Sequence, residues 1–203
     1  MTRPANRSAL SGLALAALLL AGAAAPALGQ SRAFALYLQG GRWLPATDLN
    51  SEIGDKFTAE WTWGGGVAWQ VGERFAIRGS AMTTQTQIIG PTLDLADPDV
   101  TRWYYVGDLV FGWPTATGWV PYGYLGAGVV TTTPKDSTLL AGDGKSTDFV
   151  GRVGGGVNRI LSFGVLFLET DISLWRLNSL NVEFYGLKME WSFRLGWALV
   201  IPY

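Results

Sequence analysis

Along most of the chain apolar and polar residues alternate singly, the period of a strand with two unlike faces, and no stretch keeps the 3.6-residue period of an amphipathic helix. Eight strands are predicted, at Ala33–Trp43, Thr58–Val71, Arg74–Thr84, Thr101–Trp113, Trp119–Thr131, Thr147–Arg159, Phe163–Trp175 and Leu187–Tyr203. Their connections differ in length. Long polar segments bearing Gly, Pro and Asp (Leu44–Phe57, Gln85–Val100, Thr133–Ser146, Arg176–Gly186) alternate with tight turns near Gly72-Glu73, at Pro114–Gly118 and at Ile160–Ser162. An even strand count with long and short connections in turn predicts an all-β fold: an eight-stranded antiparallel up-and-down barrel that spans a membrane. The short turns and both chain ends then share the periplasmic side.

Alternation alone does not say which face is inside, because a soluble barrel hides its apolar face and a membrane barrel exposes it. In the last strand Leu187, Met189, Trp191, Phe193, Leu195, Trp197, Leu199 and Ile201 oppose Lys188, Glu190, Ser192, Arg194, Gly196 and Ala198. Three features make the apolar face the outer one. The polar parity carries Gly64, Gly66, Gly126, Gly128, Gly154, Gly156 and Gly196, small residues suited to a narrow interior. Aromatic residues cluster near strand ends on the apolar parity, as in the two girdles of a membrane interface. Trp61, Trp103 and Tyr105 form one group, and Trp69, Phe75, Trp113 and Trp119 the other. Outward charges sit only at ends, at Arg32, Arg42 and Arg159, where long side chains reach water. Two segments fit poorly. Trp175 falls on the inward parity, and Trp119–Thr131 is apolar on both faces, so that its parity rests on Gly126 and Gly128. A bulge would repair either.

Composition sharpens this picture. Residues 1–29 are predicted to be a cleaved signal peptide. Arg3 and Arg7 precede an Ala- and Leu-rich run from Leu13 to Ala25, followed by Ala27-Leu28-Gly29 as a small-residue cleavage site. The barrel domain is then 30–203. Charged residues make up 15% of the chain, below the ~25% usual in soluble domains. The mature part has no basic excess, which argues against nucleic acid. There is no Cys, so an exported chain must close by its own hydrogen bonds.

These residues resemble the small OmpA-type and opacity-protein-like outer-membrane β-barrels. The terminal run from Arg194 to Tyr203 is similar to that family's assembly signal, with Arg194, Gly196, Leu199, Ile201 and Tyr203 in the signal's positions; Pro202 departs from it. The Gly-rich segments Pro121–Gly128 and Gly154–Asn158 also resemble the family's strands. The resemblance covers most of the mature chain and implies a fold, a location in the bacterial outer membrane and a barrel-assembly machine as transient partner. It implies no activity.

Projected inward, Glu60, Arg78, Asp108, Arg152, Glu169, Asp171, Lys188, Glu190 and Arg194 form a balanced set of charges. At the bore of eight strands they are expected to pair and plug the lumen, since an unpaired buried charge is costly. The sharper alternative is a narrow, porin-like pore or a transporter for small or hydrophobic molecules. Catalysis is the competing class. Barrel enzymes that act on lipids use a His as general base, and this chain has none. A carboxylate pair such as Glu169 and Asp171 would have to serve instead, and structural pairing with Arg and Lys is the expected fate of both. Neither cofactor nor metal is expected; Asp94, Asp97 and Asp99 fit no metal loop. Loop residues Ile88, Ile89, Leu139 and Leu140 are candidate contacts for a partner or candidate lining of a site for a hydrophobic molecule. The expected surroundings are outer-membrane lipid and lipopolysaccharide, and the expected state is a monomer. The functional expectation is a non-enzymatic barrel of structural or surface-interaction role.

Overall fold

A computed structural model of the chain describes residues 33–49, 56–90, 99–135, 145–176 and 187–202. The predicted signal peptide and Tyr203 lie outside them. The strands are β1 (Ala33–Pro45), β2 (Lys56–Phe57), β3 (Glu60–Gln70), β4 (Phe75–Ile89), β5 (Asp99–Gly112), β6 (Trp119–Pro134), β7 (Ser146–Leu161), β8 (Gly164–Arg176) and β9 (Leu187–Pro202). Eight of them pair antiparallel with their neighbours in sequence, and β9 pairs back onto β1. The sheet therefore closes and has no open edge in the barrel wall. β2 is a two-residue addition to the outer end of β4, where Lys56 and Phe57 pair with Ile89 and Ile88.

The registers fix the shape of the barrel. Partners traced once round the wall run Ala33, Gln70, Ala76, Val110, Tyr124, Gly154, Asp171, Ser192 and back to Trp43. The path returns to β1 ten residues from its start, which is the shear of the barrel. With about 3.3 Å per residue and 4.8 Å between strands, eight strands at that shear tilt by about 40° and leave a backbone radius of about 8 Å. Such a bore holds side chains and little else.

Side chains on the outer parity form a continuous apolar belt. Leu38, Val67, Leu109, Leu125, Val153, Leu168 and Leu195 are all exposed. Soluble monomers do not leave a band of this extent in water, so lipid covers it. The predicted girdle residues Trp61, Trp69, Phe75, Trp103, Tyr105, Trp113 and Trp119 all face outward, with 38–67% of their surface exposed. Trp61 and Trp69 stand eight residues apart on β3, about 26 Å of strand, which the tilt reduces to about 20 Å of height. Arg42 lies 5.6 Å from the Trp61 ring and Arg159 lies 5.0 Å from the Trp119 ring, each at one end of the belt.

Several predicted boundaries change. β4 continues to Ile89, β5 starts at Asp99, β6 continues to Pro134 and β7 starts at Ser146, all within segments expected to be loops. The runs involved are rich in Thr and Gln, whose polar outer faces break the hydrophobic alternation while the backbone ladder continues above the belt. Thr84 and Thr86 are buried there. The β7–β8 turn lies at Ser162-Phe163, one step later than expected, and β5 ends before Trp113. Thr58 and Ala59 are not part of β3. Gly118, with φ of +74°, supplies the left-handed residue of the β5–β6 turn. Trp175 requires no bulge. The β7–β8 register is unbroken from Val150↔Trp175 to Leu161↔Gly164, and Trp175 points into the lumen at 2% exposure.

Candidate functional site in the lumen

Halfway along the bore, three arginines meet three carboxylates. Arg78 of β4 reaches Asp108 of β5 through Nε (2.8 Å) and Glu169 of β8 through Nη1 (2.6 Å). Arg152 of β7 donates from Nε to Asp108 (2.7 Å) and from Nη2 to Ser80 (2.9 Å). Arg194 of β9 pairs with Glu169 (2.9 Å) and with Asp171. Tyr122 and Tyr124 of β6 donate their hydroxyls to Glu169 (2.9 Å) and Asp171 (3.0 Å). All six charged groups are at least nine-tenths buried and their charges cancel. Six strands are thus tied across the bore by hydrogen bonds to ionised groups, the stronger class of such bonds.

Nearby glycines make room for this cluster. A Cβ on Gly126 would lie 2.0 Å from Asp108 Oδ1, and one on Gly154 would lie 2.5 Å from the Tyr124 ring and from the carbonyl of Thr170. The glycine-rich inward parity is therefore a requirement of space around Tyr and Asp.

Above the cluster, toward the long-loop end, the lumen is packed tight. Arg102 is completely buried and pairs with Glu190. Its guanidinium carbon lies 4.3 Å from the Trp175 ring centre, 4.8 Å from Phe57, and 5.1 Å from both Trp43 and Tyr104. Glu190 also accepts hydrogen bonds from Trp43 Nε1 (3.0 Å) and the Tyr104 hydroxyl (2.9 Å). Met82, Val100, Val130 and Val150 fill the remaining space. The cavity left beside this group is about 10 Å³, the threshold for a single water at about 10–15 Å³. At the outer rim Lys188 donates to the carbonyls of Asp48 (2.7 Å) and Leu49 (2.6 Å).

Below the cluster, toward the short turns, the lumen is open. A cavity of about 490 Å³ runs from Tyr37, Arg78, Tyr122 and Phe167 to the turn residues Glu73 and Arg74.

The structure thus divides the nine predicted lumen charges among separate places. Arg78, Asp108, Arg152, Glu169, Asp171 and Arg194 meet in the central cluster. Glu190 belongs to the separate Arg102 group, Lys188 holds loop carbonyls, and Glu60 lies at the outer end within 3.5 Å of the Thr58 hydroxyl. Sequence reasoning omitted Arg102, Tyr104, Tyr122 and Tyr124. Their inward parity was readable: Arg102 is six residues from Asp108, and Tyr122 and Tyr124 share the parity of Gly126. In the assembly motif Arg194 and Gly196 point inward, Gly196 against Phe167, while Ile201 faces outward and Leu199 is buried. Asp99 is bound to Lys135 (2.5 Å) and Gln87 (3.0 Å). Asp94, Asp97, Leu139 and Leu140 lie outside the described residues. Ile88 packs against the upper core, and Ile89 pairs with β2.

Chemically, Glu169 and Asp171 are held as ion partners by Arg78 and Arg194, and a guanidinium gives up no proton in a protein. The central cluster braces the wall, and its geometry offers no carboxylate free to work as a base.

No protein-family model matches the chain, and no curated protein matches its sequence. Solved structures do match its fold. It superposes on Neisserial surface protein A (NspA) with a TM-score of 0.60 at 10% identity, over 82% of this chain and 97% of that one. It superposes on the outer membrane protein OprG from Pseudomonas aeruginosa with a TM-score of 0.53 at 13% identity, over 86% and 98%. The fold is that of the small outer-membrane β-barrels. Physics and comparison agree on this point, since the belt that lipid must cover and the closed wall are both present.

Proposed function

We propose that the protein is a non-enzymatic integral barrel of the outer membrane, with a structural or surface-presenting role and a lumen closed to steady conduction. The neutral cluster of Arg78, Arg152, Arg194, Asp108, Glu169 and Asp171 carries this reading, because it crosses the whole bore and every carboxylate in it is held by Arg. To pass an ion, the cluster would have to part and leave desolvated charges unpaired, which costs several kcal/mol per pair, about 3–5. The Arg102 cage closes the bore a second time. The belt would contact outer-membrane lipid and lipopolysaccharide, insertion would depend on the barrel-assembly machinery, and the protein would act as a monomer.

Purified protein in planar bilayers tests the closed lumen: no stable single-channel steps are expected, and reproducible steps overturn the reading. Fractionation with the outer membrane and heat-modifiable migration in detergent gels test the placement. Lipid A and phospholipid incubated with the folded barrel should remain unchanged.

A further inference from the structure

The inner half of the lumen is lined against what water would select. A mouth facing the aqueous periplasm calls for polar inward side chains. This one has Ala33, Ala35, Ala68, Val110, Val165 and Val200, with Gln70 and Asn158 among them. The strands are therefore mostly apolar on both faces here, outward to lipid and inward to a void. The bore is the same as in the outer half, where large side chains leave a cavity of about 10 Å³ beside Glu190, whereas five alanines keep about 490 Å³ open below. That volume lies within the range of small-molecule sites, about 300–1,000 Å³. At its inner end the cavity stops at Arg78, which is 93% covered and committed to Asp108 and Glu169.

We propose that this cavity is a binding site, entered from the periplasmic end, for an uncharged single-chain lipophile. The chain lies along the Ala and Val walls. The leading end is uncharged because the cluster behind it is already neutral, and a further carboxylate or ammonium would be buried without a counter-charge. The polar residues Gln70, Glu73 and Arg74 stand at the mouth, where the trailing end meets water. The site is a dead end. Its ligand is held from below and does not cross.

The test uses the full barrel in phosphatidylcholine vesicles with a diazirine-bearing decanol, followed by mass-spectrometric mapping of the adducts. Adducts are expected on the inward residues Ala35, Ala68 and Val165, with decanol competing about tenfold better than decanoate, whose charge would be buried beside a cluster already neutral. Ala35→Phe, or Ala68→Phe should the first fold poorly by gel shift, should cut inward labelling about tenfold by filling the cavity, while Ala127→Phe on the lipid face leaves it unchanged. Adducts confined to outward residues such as Leu125 and Leu195 overturn the proposal, as does inward labelling that survives the filling substitutions. Inward labelling seen only after deletion of the residues before Ala33 also overturns it, by giving the cavity to the chain's own N-terminal segment. Conductance is a separate readout, so a conducting barrel and an empty pocket are distinguishable failures.

Discussion

The two halves of the lumen are lined by the same eight strands at the same bore, yet one is solid and the other hollow. The outer half uses Trp43, Phe57, Tyr104 and Trp175 around Arg102, and the inner half uses Ala33, Ala35, Ala68, Ala76 and Ala198. Barrel geometry dictates the width, whereas side-chain volume decides whether that width is filled. The central ion cluster separates the two regimes and gives each a polar wall.

The sharpest break should come at that wall. Arg194→Leu leaves Glu169 and Asp171 short of their shared counter-charge and is expected to cost about 3–5 kcal/mol in urea unfolding followed by gel shift. A loss below 1 kcal/mol would show that the halves are not divided by an ionic wall. Arg102→Leu strands one carboxylate, Glu190, which keeps its Trp43 and Tyr104 donors. A smaller loss of about 2–3 kcal/mol is expected, much of it recovered by adding Glu190→Gln. Packing itself separates the halves next. Val130→Phe overfills the outer half and should cost about 1–3 kcal/mol. Ala35→Phe enters existing space and should change stability by less than about 1 kcal/mol. If the two substitutions cost the same, the contrast in filling is wrong.

The fold was legible because each strand repeats one message. Lys188, Glu190, Ser192 and Arg194 face in while Trp191, Phe193 and Leu195 face out, as parity alone gives them. The ends of strands were less legible. Gln85, Thr86 and Gln87 carry β4 onward where the outer face leaves lipid, and polar residues on both faces resemble a loop. The lumen was half legible. Inward parity identifies charged residues but not which of them meet, because partners such as Arg78 and Glu169 lie 91 residues apart and depend on shear. Tyr122 and Tyr124 were obscured by their aromatic bodies, which suggest an outward girdle until their hydroxyls find Glu169 and Asp171. Trp175 looked like an error of register for the same reason. An inward aromatic is sensible only once Arg102 is seen beneath it.

Arg194 also bears on how the barrel closes, since it sits on β9, the strand that joins β8 to β1. Until β9 lies between β8 and β1, Glu169 and Asp171 lack the cation that both share, and the sheet retains two unpaired edges. Glu190 is on the same strand, so an incomplete barrel leaves Arg102 without its carboxylate as well, and unpaired ions of both signs stand in the space that becomes its interior. Closure of the wall and completion of the interior ion pairs thus depend on one strand.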